Sequence, residues 1–291
     1  MPLTLIEGTY RVIGAAPDGD SMKFYPKRKA DWALIGNPNP VRANQSGGAQ
    51  LRLDGVDALE THYSPPGGGA IGTVHQPPDL AHAAAQAALE WLGFSAVKRD
   101  PSEIVTAASP SEVEGYILTR FADKYGRPVA FGFRGPAPKK SGESVYLDEA
   151  LLKQSLNWHM LLEGQAYPTY YSKLYPDIRR SMTSAVQAAR SSGKGLWPQD
   201  LTSTGFEVGA LDEVQAQAVI MPKLFRRLLE YFAFNAGDTS LTGFKEYLAA
   251  HGDTLYILPE GHRTGFDYVV KVERQSVKLE RPVEALIFDE K

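Results

Sequence analysis

Residues 116–133 read YILTRFADKYGRPVAFGF. Two runs rich in aromatic and β-branched residues, Tyr116–Phe121 and Pro128–Phe133, flank Ala122-Asp-Lys-Tyr-Gly-Arg127, whose Asp and Gly favour a turn. The stretch therefore predicts a β-hairpin. Upstream, Thr9–Ile13 and Ser21–Tyr25 have the same β character and flank the turn-forming Ala16-Pro-Asp-Gly-Asp20. A Pro/Asn/Gly-rich stretch from Gly36 to Gly48 precedes a third strand candidate, Ala49–Val56. Residues 64–78 have the composition of a long flexible loop. The alanine-rich run from Asp79, closed by Gly93, predicts a helix. Downstream of the hairpin, Asp148 is placed to cap a helix running to about Glu163. Another helix is expected over Asp177–Ser192, with Ile178, Met182, Ala185 and Ala189 on one face. Five short strands, a helix inserted after the third and helices at the end predict a small closed β-barrel carrying helices, not a doubly wound sheet.

Charge divides the chain. Of its 291 residues, 1–200 carry 21 basic and 20 acidic side chains, and 201–291 carry 10 and 14. The shift coincides with the polar, Gly-containing segment Asp200–Gly209, which reads as a linker. A barrel domain over 1–203 and a C-terminal α+β domain over 204–291 are expected. In the latter, Lys223–Phe232 and Phe244–Leu248 read as helices, and Thr254–Leu258, Phe266–Val272 and Val283–Phe288 as strands. Its acidic balance disfavours bulk phosphate binding and points to a regulatory, packing or protein-partner role.

Composition excludes several classes. A net charge of −3 is not that of a histone-like basic binder, and no run of about 18 apolar residues is present to span a membrane. With no cysteine there is no disulfide, thiolate metal site or cysteine nucleophile, and the six histidines show no metal-ligand spacing. The N-terminus, MPLTLIEGTY, has no basic leader, so a cytoplasmic location is expected, or a secreted one if a leader has been removed.

Three places combine acids and bases at strand ends: Asp18-Gly-Asp20, Arg52–Glu60 with Asp57 and Glu60, and Asp123–Arg127. Carboxylates without cysteine or clustered histidine favour a hard, oxygen-seeking cation. The planar guanidinium fork suits phosphate. Together these groups describe a site that clamps a phosphodiester against a metal ion, although each is weak alone. Gly67-Gly-Gly69 lacks the Lys-Ser/Thr of a phosphate-binding loop.

Five stretches in order resemble the staphylococcal nuclease (thermonuclease) family over about residues 8–198: Asp18–Phe24, Leu51–Thr61, Asp123–Arg127, Glu149–Gln154 and Gly193–Trp197. The resemblance implies an OB-type five-stranded barrel with three helices, and a Ca2+-dependent nuclease cutting DNA with little sequence preference and leaving 3′-phosphate ends, with RNA left open as a second substrate. It implies that Asp20, Asp57 and the backbone carbonyl of Ala58 hold calcium, with Asp18 behind them. It further implies Glu60 as general base or positioner of the attacking water, Arg52 and Arg127 on the scissile phosphate, and Lys124, Tyr125, Tyr167 and Tyr170 as substrate contacts, with Tyr171 beside the last two in an aromatic cleft wall.

The chain also departs from the family pattern. Ala58 and Leu59 stand where the family has threonine and proline, Asp54 adds an acid to a normally apolar strand, and the stretches Pro26–Gly48 and Ser64–Pro78 are long. The basic trio Lys27–Lys29 is a candidate nucleic-acid contact, with a solvated loop as the equal alternative. The competing functional class is a non-catalytic OB-type module binding nucleic acid or protein. Family members used that way typically lack the acids and arginines kept here.

Overall fold

The computed structural model describes residues 1–36 and 38–290; Asn37, in the Pro/Asn/Gly-rich stretch, and Lys291, the last residue of the C-terminal segment, lie outside the described residues. The chain is mixed α+β and built around a nearly closed, barrel-like sheet. The strands of its first half are β1 (Pro2–Arg11), β2 (Lys23–Pro26), β3 (Ala49–Gln50), β4 (Arg52–Leu53), β5 (Val56–Asp57), β6 (Ser95–Arg99), β7 (Val105–Ser109), β8 (Glu112–Ala122), β9 (Pro128–Arg134) and β10 (Ser144–Tyr146). The sheet runs β3-β2-β1-β8-β9-β4, with β10 paired to the start of β1; β6 and β7 form a separate hairpin. β8 and β9 pair antiparallel, as residues 116–133 predict.

The expected third strand, Ala49–Val56, is broken, and the break closes the sheet. β3 pairs with β2 at one end of the path while β4, separated from it only by Leu51, pairs parallel with β9 at the other. Gly55, at φ +74, then turns the chain into β5. At this positive φ the turn needs glycine for its conformation, while the Met182 Cε that a Cβ would meet at 2.7 Å is the end of a flexible side chain.

Helix α1 (Pro78–Leu92) begins on Pro78 and ends at left-handed Gly93, matching the reading from composition. The helix expected over 148–163 is instead two, α2 (Glu149–Leu152) and α3 (Leu156–Leu162). Asp148 caps the first through the Leu151 N–H at 2.8 Å. Ser155 caps the second through the Trp158 N–H at 3.1 Å, and its own preference for non-helical backbone breaks the run. The third expected helix is α4 (Pro176–Ser191).

Beyond residue 200 come the short strand Phe206–Glu207 and three helices, α5 (Leu211–Gln217), α6 (Pro222–Phe234) and α7 (Phe244–His251). Phe266–Val272, expected as a strand, begins as the helical turn Phe266–Val269 and becomes strand only at Val270. Burying Phe266 and Val269 together requires i, i+3 spacing, which overrides their β propensity. Val283–Phe288 likewise opens as a 3₁₀ turn before its strand Leu286–Phe288. That strand pairs parallel with Tyr170–Tyr171. One continuous apolar core includes Leu5, Phe131 and Met182 as well as Phe225, Phe266 and Phe288. No helix among the described residues is long and apolar enough to cross a membrane.

The two long stretches have structural work. Within 26–36 and 38–48, Trp32 donates to the Gly47 carbonyl at 2.8 Å and Arg42 N–H to the Gly126 carbonyl at 2.9 Å, so this stretch props the Asp123–Arg127 turn. Residues 64–78 form the seat of the C-terminal segment. There Gln76, fully buried, donates to the carbonyls of Ala218 and Ile220, each at 2.8 Å. Nearby, the Tyr63 hydroxyl donates to Glu230 at 2.7 Å.

Candidate active site

Backbone bonding brings the first two motifs together. Leu53 N–H donates to the Asp20 carbonyl at 2.9 Å, which sets the Asp18-Gly-Asp20 turn beside Arg52. Gly19 packs so closely that a Cβ would lie 2.6 Å from the Ala58 Cβ and 2.8 Å from the Ala84 Cβ of α1. Glycine at this position presses the two aspartates against the Asp57–Glu60 loop. Tyr167 pairs across from Asp57 and fixes the start of that loop. The hairpin turn is tied by Asp123, whose Oδ1 accepts from the Tyr125 and Arg127 N–H groups, each at 2.9 Å, while its Oδ2 accepts from Arg127 Nε at 2.8 Å.

All three turns open onto one cavity of about 680 Å³. Asp18, Asp20, Asp57 and Glu60 line one part of it, and Arg52, Lys124, Tyr125 and Arg127 another. Arg52 lies over the Tyr171 ring at 4.9 Å and donates to its hydroxyl at 3.1 Å. Arg127 and Lys124 lie 5.5 and 5.2 Å from the centre of the exposed Tyr125 ring, where a base could stack.

Two expected substrate contacts fail. Tyr167 and Tyr170 are fully buried and do not line the cavity: the Tyr167 hydroxyl donates to Asp200 at 2.8 Å, and that of Tyr170 pairs with Thr183 at 3.0 Å. In this short strand the intermediate residue Tyr171 faces the cavity, because alternation along the strand sends Tyr170 to the core. The basic trio does not line the cavity either. Lys27 pairs with Glu7 at 2.8 Å and Arg28 with Asp31 at 2.8 Å, so the solvated-loop reading describes their surroundings.

The sequence reading missed the other wall. Lys223, Arg226, Arg227 and Glu230 form one stripe of α6, and that stripe faces the cavity while Leu224, Phe225 and Leu228 face the core. Arg226 reaches furthest. Its Nη1 and Nη2 donate to Asp57 Oδ1 and Oδ2 at 3.1 and 2.8 Å, and Nη1 also donates to Glu60 Oε1. Arg227 pairs with Asp253 at 2.6 Å and with Glu230 at 2.7 Å. The available signal was the 3–4 spacing of basic residues in an otherwise apolar helix, which is equally the mark of a solvated face.

Burial dominates the electrostatics, and the crowding of acids adds to it. Burial, with Asp57 and Glu60 nearby, pushes Asp20 up to about 7, and burial with Asp20 and Glu60 raises Asp18. Burial also raises Glu60, with Arg226 pulling the other way. For Asp57, burial opposes ionisation, but the Arg226 fork outweighs it and holds the carboxyl below its ordinary range. Tyr171 is raised by burial but drawn down to about 8 by Arg52 and Lys223.

The donors Asp20, Asp57 and the Ala58 carbonyl are hard oxygens of the kind calcium takes, and the mutual repulsion that adds to burial in raising Asp18 and Asp20 is what a divalent cation relieves. The donor chemistry fits calcium. The present arrangement, however, gives both Asp57 oxygens to Arg226, and among the described residues no group of three His, Asp or Glu side chains is set to hold a metal.

Asp54 lies just behind the site. Burial, then Glu290, pushes it up to about 6. Its folded-state value exceeds the unfolded one, so the native state holds the proton longer, and stability falls as pH rises from about 4 to about 6. At about 1.4 kcal/mol per unit, the loss is on the order of 2–3 kcal/mol. Asp54→Asn is expected to raise the thermal midpoint at pH 7.5 and to leave it unchanged at pH 4. Equal effects at both pH values in thermal melts would count against this.

Compared with models of known protein families and with curated proteins, the chain shows no match.

Proposed function

We propose that this protein is a calcium-dependent nuclease with an OB-type barrel, hydrolysing phosphodiester bonds of DNA with little sequence preference and leaving 3′-phosphate ends, with RNA an open second substrate. The observation that carries this reading is the convergence of three remote turns on one cavity, with Arg52 and Arg127 facing the same space as Asp20, Asp57 and Glu60. A purely binding module has no need for four crowded carboxylates, two buried and two half-buried, whose cost in stability calls for a compensating chemistry.

A phosphodiester is anionic and repels hydroxide, so hydrolysis requires charge neutralisation and a placed water. Bound by Asp20, Asp57 and the Ala58 carbonyl, with Asp18 behind, calcium would supply Lewis acidity at a phosphate oxygen. Arg52, oriented by Tyr171, and Arg127, oriented by Asp123, bring guanidinium forks to the phosphate and stabilise the charge that gathers on its oxygens. Glu60 takes the proton of the attacking water or holds that water in line. Lys124 and Tyr125 receive the flanking nucleotide. The C-terminal segment walls the cavity through α6, and this narrowing favours single strands and loosened ends over intact duplex.

The test is cleavage of single-stranded DNA with calcium and with a chelator. Cleavage with calcium only is expected. Arg127→Ala is expected to lower the rate by about 10²–10³, the cost of losing one contact to the developing charge. No cleavage under either condition, with DNA still bound, would favour the non-catalytic module.

A further inference from the structure

Arg226 belongs to a helix outside the barrel, yet its guanidinium is held by three carboxylate oxygens at the centre of the cavity. These belong to Asp57 and Glu60, and Asp57 is among the oxygens that would hold calcium. A guanidinium and a divalent cation sharing one carboxylate repel each other, and the fork on both Asp57 oxygens leaves fewer of their lone pairs to a cation.

We propose that Arg226 is a tethered competitor for the cation position, through which the C-terminal segment sets the calcium concentration at which the site can load. This rests on the nuclease reading above.

Several features make the device side-chain based. Helix α6 is fixed: Leu224, Phe225, Leu228 and Leu229 are fully buried, and the helix is locked to residues 63–76 through Glu230 and through Gln76 on the preceding segment. The helix therefore has no cause to undock, and what must move is the flexible stem of Arg226. Its acid partners are strongly held while it stays, by bonds to both Asp57 oxygens and to Glu60. When the fork leaves, the negative surplus rises, so the site then favours a divalent cation. The competition is reciprocal: whatever factor Arg226 takes from calcium affinity, calcium takes from the Arg226 contact.

The experiment is calorimetric calcium titration of the full chain as wild type, Arg226→Ala and Arg226→Lys. Removal of the competitor is expected to tighten calcium binding by about 5- to 150-fold, with the lysine variant, which keeps charge but lacks the fork, in between. Equal affinity in all three would overturn the inference while leaving the nuclease reading intact. No calcium binding by any of them would overturn both. Because Arg226→Ala leaves Asp57 buried without its partner and could impair folding, a measurement on the wild type alone accompanies it. In protein labelled with ¹⁵N-arginine, the guanidinium signal of Arg226 should change from slow to fast solvent exchange as calcium is added. Its persistence at saturating calcium would overturn the inference.

Discussion

Glu60→Gln is expected to lower the rate of DNA cleavage at saturating calcium by about 10²–10⁴, the range for removing a general base. Glutamine has the same shape, keeps an oxygen for Arg226 and leaves the backbone bond from Glu60 N–H to Gln76 at 3.2 Å untouched. Folding should therefore survive, with a thermal midpoint close to that of the wild type. Glutamine cannot accept the proton of water at neutral pH, and it removes one negative charge from a crowded cluster. A second signature follows from the direction of the Glu60 shift. Burial raises its carboxyl above the ordinary glutamate value, so the wild-type rate should climb with pH as Glu60 ionises. That acidic limb should shrink in the variant. Single-turnover cleavage across pH 4–8 checks both. A variant that cuts at near wild-type rate with the same profile would remove Glu60 from the chemistry and leave only a structural partner of Arg226.

Part of this site was legible in the sequence for a definite reason. Asp18, Asp20, Arg52, Asp57 and Arg127 lie in tight turns or at strand ends, where local residue chemistry fixes the backbone, as where Asp123 caps its own hairpin. The Asp18 and Asp123 turns are decided within a few residues, Asp18 accepting from Gly19 N–H at 2.8 Å, and pattern reading reaches them, whereas the contact of Gly19 with Ala58 spans the chain. The barrel closure was less visible, because the handover from β3 to β4 depends on which distant strands lie at the two ends of the path. Tyr170 and Tyr171 show the limit most sharply. Their neighbours in sequence do not say which of the pair faces the cavity; that is settled by pairing with residues 287 and 288, over 110 positions away. Arg226 was hidden for the same reason. Its helix was legible, but a stripe of basic residues on an amphipathic helix reads as solvent-facing until the acids opposite it are known. The long stretches 26–48 and 64–78 look like excess loop until their partners, the Arg127 turn and α6, are in place.

Replacing Asn157 with alanine is expected to destabilise the protein by about 2–5 kcal/mol, because it strands several buried backbone groups at once. Asn157 is fully buried on α3. Its Oδ1 accepts from Gly132 N–H at 3.0 Å, and its Nδ2 donates to the carbonyls of Asp54 and Ala130 at 2.9 and 3.1 Å. One amide thus ties a helix to β9 and to the turn after β4, between Arg52 and Asp57. Ala130 keeps a bond from Asp54 N–H at 2.9 Å, so the larger costs fall on Gly132 N–H and the Asp54 carbonyl. Asn157→Asp tests the same bonds differently: it keeps the acceptor for Gly132 but turns the donor into a second acceptor facing two carbonyls, and should be at least as damaging at neutral pH. Because the lost bonds join β4 to its support, the Arg52–Asp57 span should loosen first. Hydrogen exchange at residues 52–57 is therefore expected to rise more than exchange in α7, which has no bond to Asn157. Urea unfolding measures the total, and exchange measures where it falls. A loss below about 1 kcal/mol, or uniform exchange, would mean that another group satisfies these atoms and that Asn157 does not hold the cavity's floor in place.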